Sequence, residues 1–202
     1  EPKTAAVVKA WTDKAFKAFE AQGIKPEQVV TKAWADLDGR EASVRNSTTL
    51  LTELIAESLA GPDVDVAVYN SGSVRIDDVI PKDATITEYD VLRILPFGGE
   101  RVTGVWQGSL LARVLDAGVK NQGKGGWLQL HGAAGAPGAW SVNGKPLDPA
   151  ATYRVATTDF LLKGLEDNLD FLTRENPGLS DLKDGADVRT LLIDRLRKGP
   201  GQ

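Results

Sequence analysis

Apolar residues recur along this chain at two spacings, one helical and one short and strand-like. Between residues 4 and 22, Val8, Trp11, Ala15 and Phe19 fall on one helical face. Thr4 is placed to cap that helix, Gly23 to stop it, and Lys9, Asp13, Lys17 and Glu20 lie largely away from the stripe. The pattern predicts a core-facing helix with Trp11 and Phe19 buried. A second helix, opened by Asn46-Ser47-Thr48-Thr49 and stopped at Gly61-Pro62, turns Leu50, Leu51, Leu54, Ile55, Ser58 and Leu59 inward. Residues 109–119 do the same with Leu110, Leu111, Val114 and Leu115, and residues 187–197 with Val188, Leu191, Leu192 and Leu196 behind an Asp187 cap. Short apolar runs at 29–37, 64–69, 91–95, 101–107, 127–130 and 153–157 read as strands, and Asn143-Gly144 predicts a hairpin turn. Residues 161–172 fit either a short helix or an irregular loop, and 176–178 and 183–185 read as loops. Helices and strands are mixed without the regular alternation of a doubly wound parallel sheet.

Two of these runs end in groups suited to recognition. Residues 64–69 lead into Asn70, Gly72 and Arg75, and residues 91–95 lead into Pro96, Phe97, Gly98 and Gly99. An amide and a planar guanidinium suit carboxylate, phosphate or ribose oxygens, and a presented ring suits a flat partner. Singly, each also fits a turn, a surface ion pair or a core phenylalanine. Together they point to a site at strand ends, where loops on a rigid scaffold carry function. Arg45 stands just ahead of a helix start, where backbone N–H groups favour an anion, and equally fits a solvated surface arginine. Gly123 to Gly126 lacks the Lys-Ser/Thr ending of a phosphate loop and reads as a connection. Asp77-Asp78 and Glu166-Asp167 read as solvated loop charges, not as a catalytic pair.

Composition narrows the classes. A length of 202 residues allows one large domain or two small ones, and no shift in composition marks a boundary. The mild net charge of −4 argues against a nucleic-acid backbone or an anionic membrane as the main partner. No apolar run approaches the roughly 18 residues needed to span a bilayer. With no cysteine, there is no disulfide, thiolate metal site or cysteine nucleophile, and the single histidine, His131, excludes a histidine-rich metal site. The chain has no methionine and begins at Glu1, which suggests a processed product or a fragment of something longer.

These residues resemble the C-terminal domain of the 5′-nucleotidase / UDP-sugar hydrolase / 2′,3′-cyclic-nucleotide phosphodiesterase family. The match runs from Asn70-x-Gly72-x-x-Arg75 and Thr87 through Leu95-Pro96-Phe97-Gly98 and the turn at Gly108. It continues with Leu128-Gln129-x-x-Gly132, Asn143-Gly144-Lys145-Pro146-Leu147, and Tyr153 leading to Asp159-Phe160-Leu161. The resemblance covers nearly the whole chain and implies one α+β domain, residues 1–202, with a four-layer α/β/β/α build that holds a nucleoside or nucleotide. It implies that Phe97 and Phe160 sandwich the base, and that Arg45, Asn70, Gly72, Arg75 and Gly132 belong to the substrate site. Glu166 would hold the ribose hydroxyls, with Asp167 and Asp170 as rivals. Departures stand at Asn70-Ser71-Gly72, where the family opens Asn-Gly-Gly, and at Gly164-Leu165-Glu166, where it has Gly-Gly-Asp. His131 replaces a small residue and either narrows the base pocket, hydrogen-bonds the base or plays a structural part. The family's divalent metal pair lies in an N-terminal metallophosphatase domain that this chain lacks, so the resemblance implies no cofactor in these residues and no catalysis by them alone. The implied setting is periplasmic or secreted. A stand-alone binding module that kept the fold without the hydrolytic domain is the alternative.

Overall fold

In chain order come helix α1 (Pro2–Glu20), strands β1 (Val29–Lys32) and β2 (Leu37–Asp38), the one-turn helix α2 (Glu41–Val44) and helix α3 (Leu50–Ala60). Strand β3 (Val66–Asn70), short strands β4 (Val79–Ile80) and β5 (Thr85–Thr87), and helix α4 (Glu88–Ile94) follow. Then come β6 (Glu100–Gln107), α5 (Gly108–Lys120), β7 (Leu128–His131), β8 (Ala133–Ala134), β9 (Ser141–Val142) and β10 (Lys145–Pro146). The chain closes with β11 (Thr152–Thr158), β12 (Leu179–Asp187) and α6 (Val188–Lys198). This computed structural model describes residues 2–21 and 23–200.

Five strands form the main sheet, in the order β12-β6-β11-β3-β7, with β11 parallel to β3 and every other pair antiparallel. Strand β3 is buried along its whole length, so it reads as a continuous apolar run where a half-exposed strand would alternate. Its residues still alternate between two cores. Ala67 and Tyr69 join Ala156 of β11 under α3, α4 and α6, against Leu54, Ile55, Leu59, Ile94, Leu192 and Leu196. Val66 and Val68 face the other way, with Trp106, Val155 and the α5 residues Leu111, Val114 and Leu115. The small sheets β1–β5 and β2–β4 close the first core, and the sheet β10-β9-β8 closes the second. The architecture is α+β, as expected. Asn143 and Gly144 both take positive φ in the hairpin between β9 and β10, the geometry that Asn-Gly supplies at least steric cost.

Several expectations are corrected. Residues 91–95 are not a strand: Glu88–Ile94 is α4, fixed by a reciprocal cap in which Thr87 Oγ1 accepts from the Asp90 N–H and Asp90 accepts from the Thr87 N–H. The 29–37 run divides into β1 and β2, which pair in different sheets. Of the two readings open for residues 161–172, the irregular loop is the one found: they form turns. The loop at 176–178 is as expected, whereas 183–185 falls within β12, a largely polar edge strand with two register shifts against β6. The α1 stripe is not core: Val8, Trp11 and Ala15 are exposed, as is Val7 beside them, Phe19 is only half-buried, and Phe16 meets Tyr89 with ring centroids 5.2 Å apart.

Candidate functional site

The ends of β3 and β11 and the starts of β6 and β7 share one edge of the main sheet. The loops leaving them enclose a cleft of about 450 Å³. Asn70, the last residue of β3, lies almost wholly buried on its floor. Its Nδ2 donates to Glu166 Oε2 at 3.1 Å, and Ser73 Oγ donates to its Oδ1 at 2.9 Å. A carboxylate only accepts, so Glu166 fixes which end of the amide faces it. Gly72 follows in a 3₁₀ turn, its N–H donating to the Gly125 carbonyl at 2.7 Å. A Cβ at Gly72 would stand 2.9 Å from that oxygen, so the approach admits only glycine.

Phe97 and Phe160 reach the cleft from separate loops and line it together. Phe97 is 70 % exposed and Phe160 38 %, so neither ring belongs to a core. The Arg75 guanidinium lies 5.3 Å from the Phe97 ring centroid, within cation–π range, and no ion pair engages it among the described residues. The Phe97 loop is tied down from two sides. Val188 N–H, at the start of α6, donates to the Gly99 carbonyl at 3.0 Å, and the Arg189 guanidinium packs against Gly98. Glu100 N–H donates to Asp159 Oδ1 at 3.0 Å, and Asp159 N–H returns a bond to the Glu100 carbonyl at 2.9 Å.

Not every expected residue converges here. Glu166 lines the cleft, whereas its rival Asp167 pairs with Lys124 at 3.2 Å and Asp170 is not among the lining residues. Arg45 is the residue that ends α2, not one at a helix start. Its buried side chain pairs with Glu41 at 3.0 Å and packs behind Gly125, outside the cleft lining. Its Nη1 is buried without a hydrogen-bond partner among the described residues. Gly132 is also off the cleft. Its φ of +78° and the Asp65 carbonyl against it leave no room for a side chain. His131 is exposed on a separate groove beside Arg101 and Lys198, so it does not narrow this pocket. Residue reasoning passed over Ser73, Gly125, Thr158 and Lys163, all of which line the cleft. For Lys163 the signal was its place three residues after Phe160.

Two carboxylates that hold the Phe97 loop titrate below their ordinary range. Burial alone raises the pKa of Asp159, but bonds from Lys163 and Glu100 outweigh it; for Asp187, burial is outweighed by bonds from Arg189. A depressed folded-state pKa contributes stability that is present above the unfolded value, near 4, and is lost as pH falls through the folded one. Urea unfolding midpoints should therefore hold steady from pH 7 to about 5 and decline below about pH 4. Asp187→Asn should show a smaller acid loss, and an equal loss in the variant would remove Asp187 from this account.

Fold and cleft together define an α+β domain with a polar and aromatic cleft at the strand ends of its main sheet. The family model described as 5′-nucleotidase, C-terminal domain, matches residues 29–174. That is more than half the chain, and the chain belongs to this family. It is similar to Protein UshA of Yersinia enterocolitica, at 34 % identity over 155 residues, covering 73 % of this chain and 28 % of that protein. Among solved structures it resembles a 5′-nucleotidase precursor from Thermus thermophilus, with TM-score 0.77 and 28 % identity over 97 % of this chain and 40 % of that one. The NAD nucleotidase of Haemophilus influenzae shares the fold, with TM-score 0.72 and 21 % identity over 95 % of this chain and 39 % of that one. The chain thus spans well under half the length of these relatives. Among the described residues no helix is long and apolar enough to cross a membrane, and no three His, Cys, Asp or Glu side chains gather to hold a metal ion.

Proposed function

We propose that the cleft binds the nucleoside part of a nucleotide, with the base between Phe97 and Phe160. The observation that carries this reading is two exposed rings, from separate loops, lining one cleft with an amide, a carboxylate and a free guanidinium. Glu166 and Asn70 would meet the ribose hydroxyls and Arg75 the substrate oxygens. Hydrolysis would belong to an N-terminal metallophosphatase domain, whose divalent metal pair supplies activated water. The bare Val7–Val8–Trp11 face of α1 supports a contact with such a domain. A periplasmic or secreted setting accompanies this reading.

Titrating this chain with adenosine, followed by calorimetry or ring-proton shifts, tests the proposal. Stacking worth roughly 1–3 kcal/mol per base barely offsets the entropy lost on association, so a dissociation constant of about 1 mM is expected. No saturable binding of either adenosine or guanosine up to several times that concentration would overturn it.

A further inference from the structure

Lys163 and Asp159 are cleft residues to which the reading above gives no role. Lys163 Nζ donates to Asp159 Oδ2 at 2.7 Å, and both side chains line the cleft beside Phe160. A turn in which the Lys163 N–H donates to the Phe160 carbonyl at 3.1 Å sets the lysine next to that ring. Through Glu100, Asp159 is joined to the start of β6 and the Phe97 loop. The pair therefore stands where the two ring-bearing loops meet, on the β6 side of β11.

The other polar group of the cleft lies on the opposite side of β11. Asn70 ends β3, and Glu166 reaches it next to Gly126, just ahead of β7. Asp159 follows β11 and is bonded across to Glu100 of β6, while Asn70 ends β3 on the other side of β11, so the two polar ends stand between one and two strand spacings apart, about 5–10 Å. A purine fits that span lengthwise. With the ribose at Glu166 and Asn70, the atoms farthest from the glycosidic bond are N1 and the substituent on C6, and these face Lys163 and Asp159.

The pair sets a donor-only group beside an acceptor-only one. Lys163 spends one of its three N–H donors on Asp159. The carboxylate uses two of its acceptor sites, on Glu100 and Lys163, and keeps about two more. A 6-oxopurine matches what remains: its C6 carbonyl accepts from the ammonium and its N1–H donates to the carboxylate, to which guanine adds an N2–H. Adenine has no carbonyl for the lysine, and in the same register its N1 lone pair faces the carboxylate. A site built around hydrogen bonds rejects an analogue that leaves them unmade more strongly than an apolar pocket does.

We propose that Lys163, held by Asp159, is a specificity-determining residue that selects 6-oxopurine nucleotides over adenine ones. This rests on the nucleoside reading of the same cleft. The test is calorimetric titration of this chain with the 5′-monophosphates of guanosine, inosine and adenosine. The guanine nucleotide should bind at least about tenfold tighter than AMP, a difference of about 1.4 kcal/mol, with the inosine nucleotide between them. Lys163→Met should shrink that ratio to about threefold or less, chiefly by weakening the oxopurines, and Lys163→Arg, which keeps donors, should restore much of it. Lys163 is half exposed, so neither variant removes a core contact. AMP binding as tightly as the guanine nucleotide, or Lys163→Met weakening all three alike, would overturn this assignment alone. Failure of every nucleotide to bind would overturn the nucleoside reading and the assignment together.

Discussion

Phe97→Ala and Phe160→Ala should each weaken adenosine binding by about tenfold or more, because loss of one stacking face removes roughly 1–3 kcal/mol and 1.4 kcal/mol is a factor of ten. The effect should be confined to binding. Phe97 is more exposed than buried and Phe160 is more than a third exposed, so truncating either leaves no cavity of the kind that makes core substitutions costly. Urea midpoints of both variants should stay close to the parent, which separates a lost contact from a lost fold. If both rings press on the same base, the double variant should lose less than the product of the single losses, since the second truncation acts on a base already free to shift. Arg75→Ala is a less clean probe. Its guanidinium rests near the Phe97 ring, so its removal changes the ring's surroundings together with the charge. Parent-like affinity in both phenylalanine variants would remove the sandwich from this cleft.

The parts of this fold legible in the sequence are those where local chemistry and long-range packing agree. The strand ending in Asn70, the α5 stripe, the Asn143-Gly144 hairpin and the Asp187 cap all stand where residue types alone put them. The 91–95 run failed because five apolar residues carry no period of their own. The deciding signal was upstream, in Thr87 and Asp90 at capping-box spacing. The α1 stripe does not mark core, with Trp11 exposed, because periodicity shows that a helix has an apolar face and not what covers that face. Strand β12 escaped because edge strands are polar, bulged and rich in charge, which in one dimension looks like loop. Of the residues that the motifs single out, Asn70, Gly72, Arg75, Phe97, Phe160 and Glu166 share one cleft lining. Gly132 lies away from that lining, and Arg45 stands one layer out, its guanidinium against Gly125 of the lining.

Gly132 shows how that distinction is measured. Gly132→Ala should lower stability by about 2–5 kcal/mol and leave nucleoside affinity of the folded protein unchanged. Two penalties combine. The residue holds φ at +78°, and a side chain in left-handed backbone costs roughly 1–2 kcal/mol. The new Cβ also points at the Asp65 carbonyl oxygen and the β3 backbone at Val66, and relieving such an overlap typically costs about 1–3 kcal/mol. That contact is rigid on both sides: Asp65 N–H donates to the Arg154 carbonyl and its carboxylate accepts from the Arg154 N–H, so the segment entering β3 is pinned to β11. The strain should therefore spread into the two central strands of the sheet and appear as a lower urea midpoint. The cleft lies at the far end of β3, four residues on at Asn70 and about 13 Å away at strand rise, so its geometry should survive in molecules that remain folded. Titration at a temperature well below the variant's unfolding transition separates the two effects. Parent-like stability with lost binding would return Gly132 to the ligand site, and lost stability with retained binding makes it a glycine required by the backbone alone.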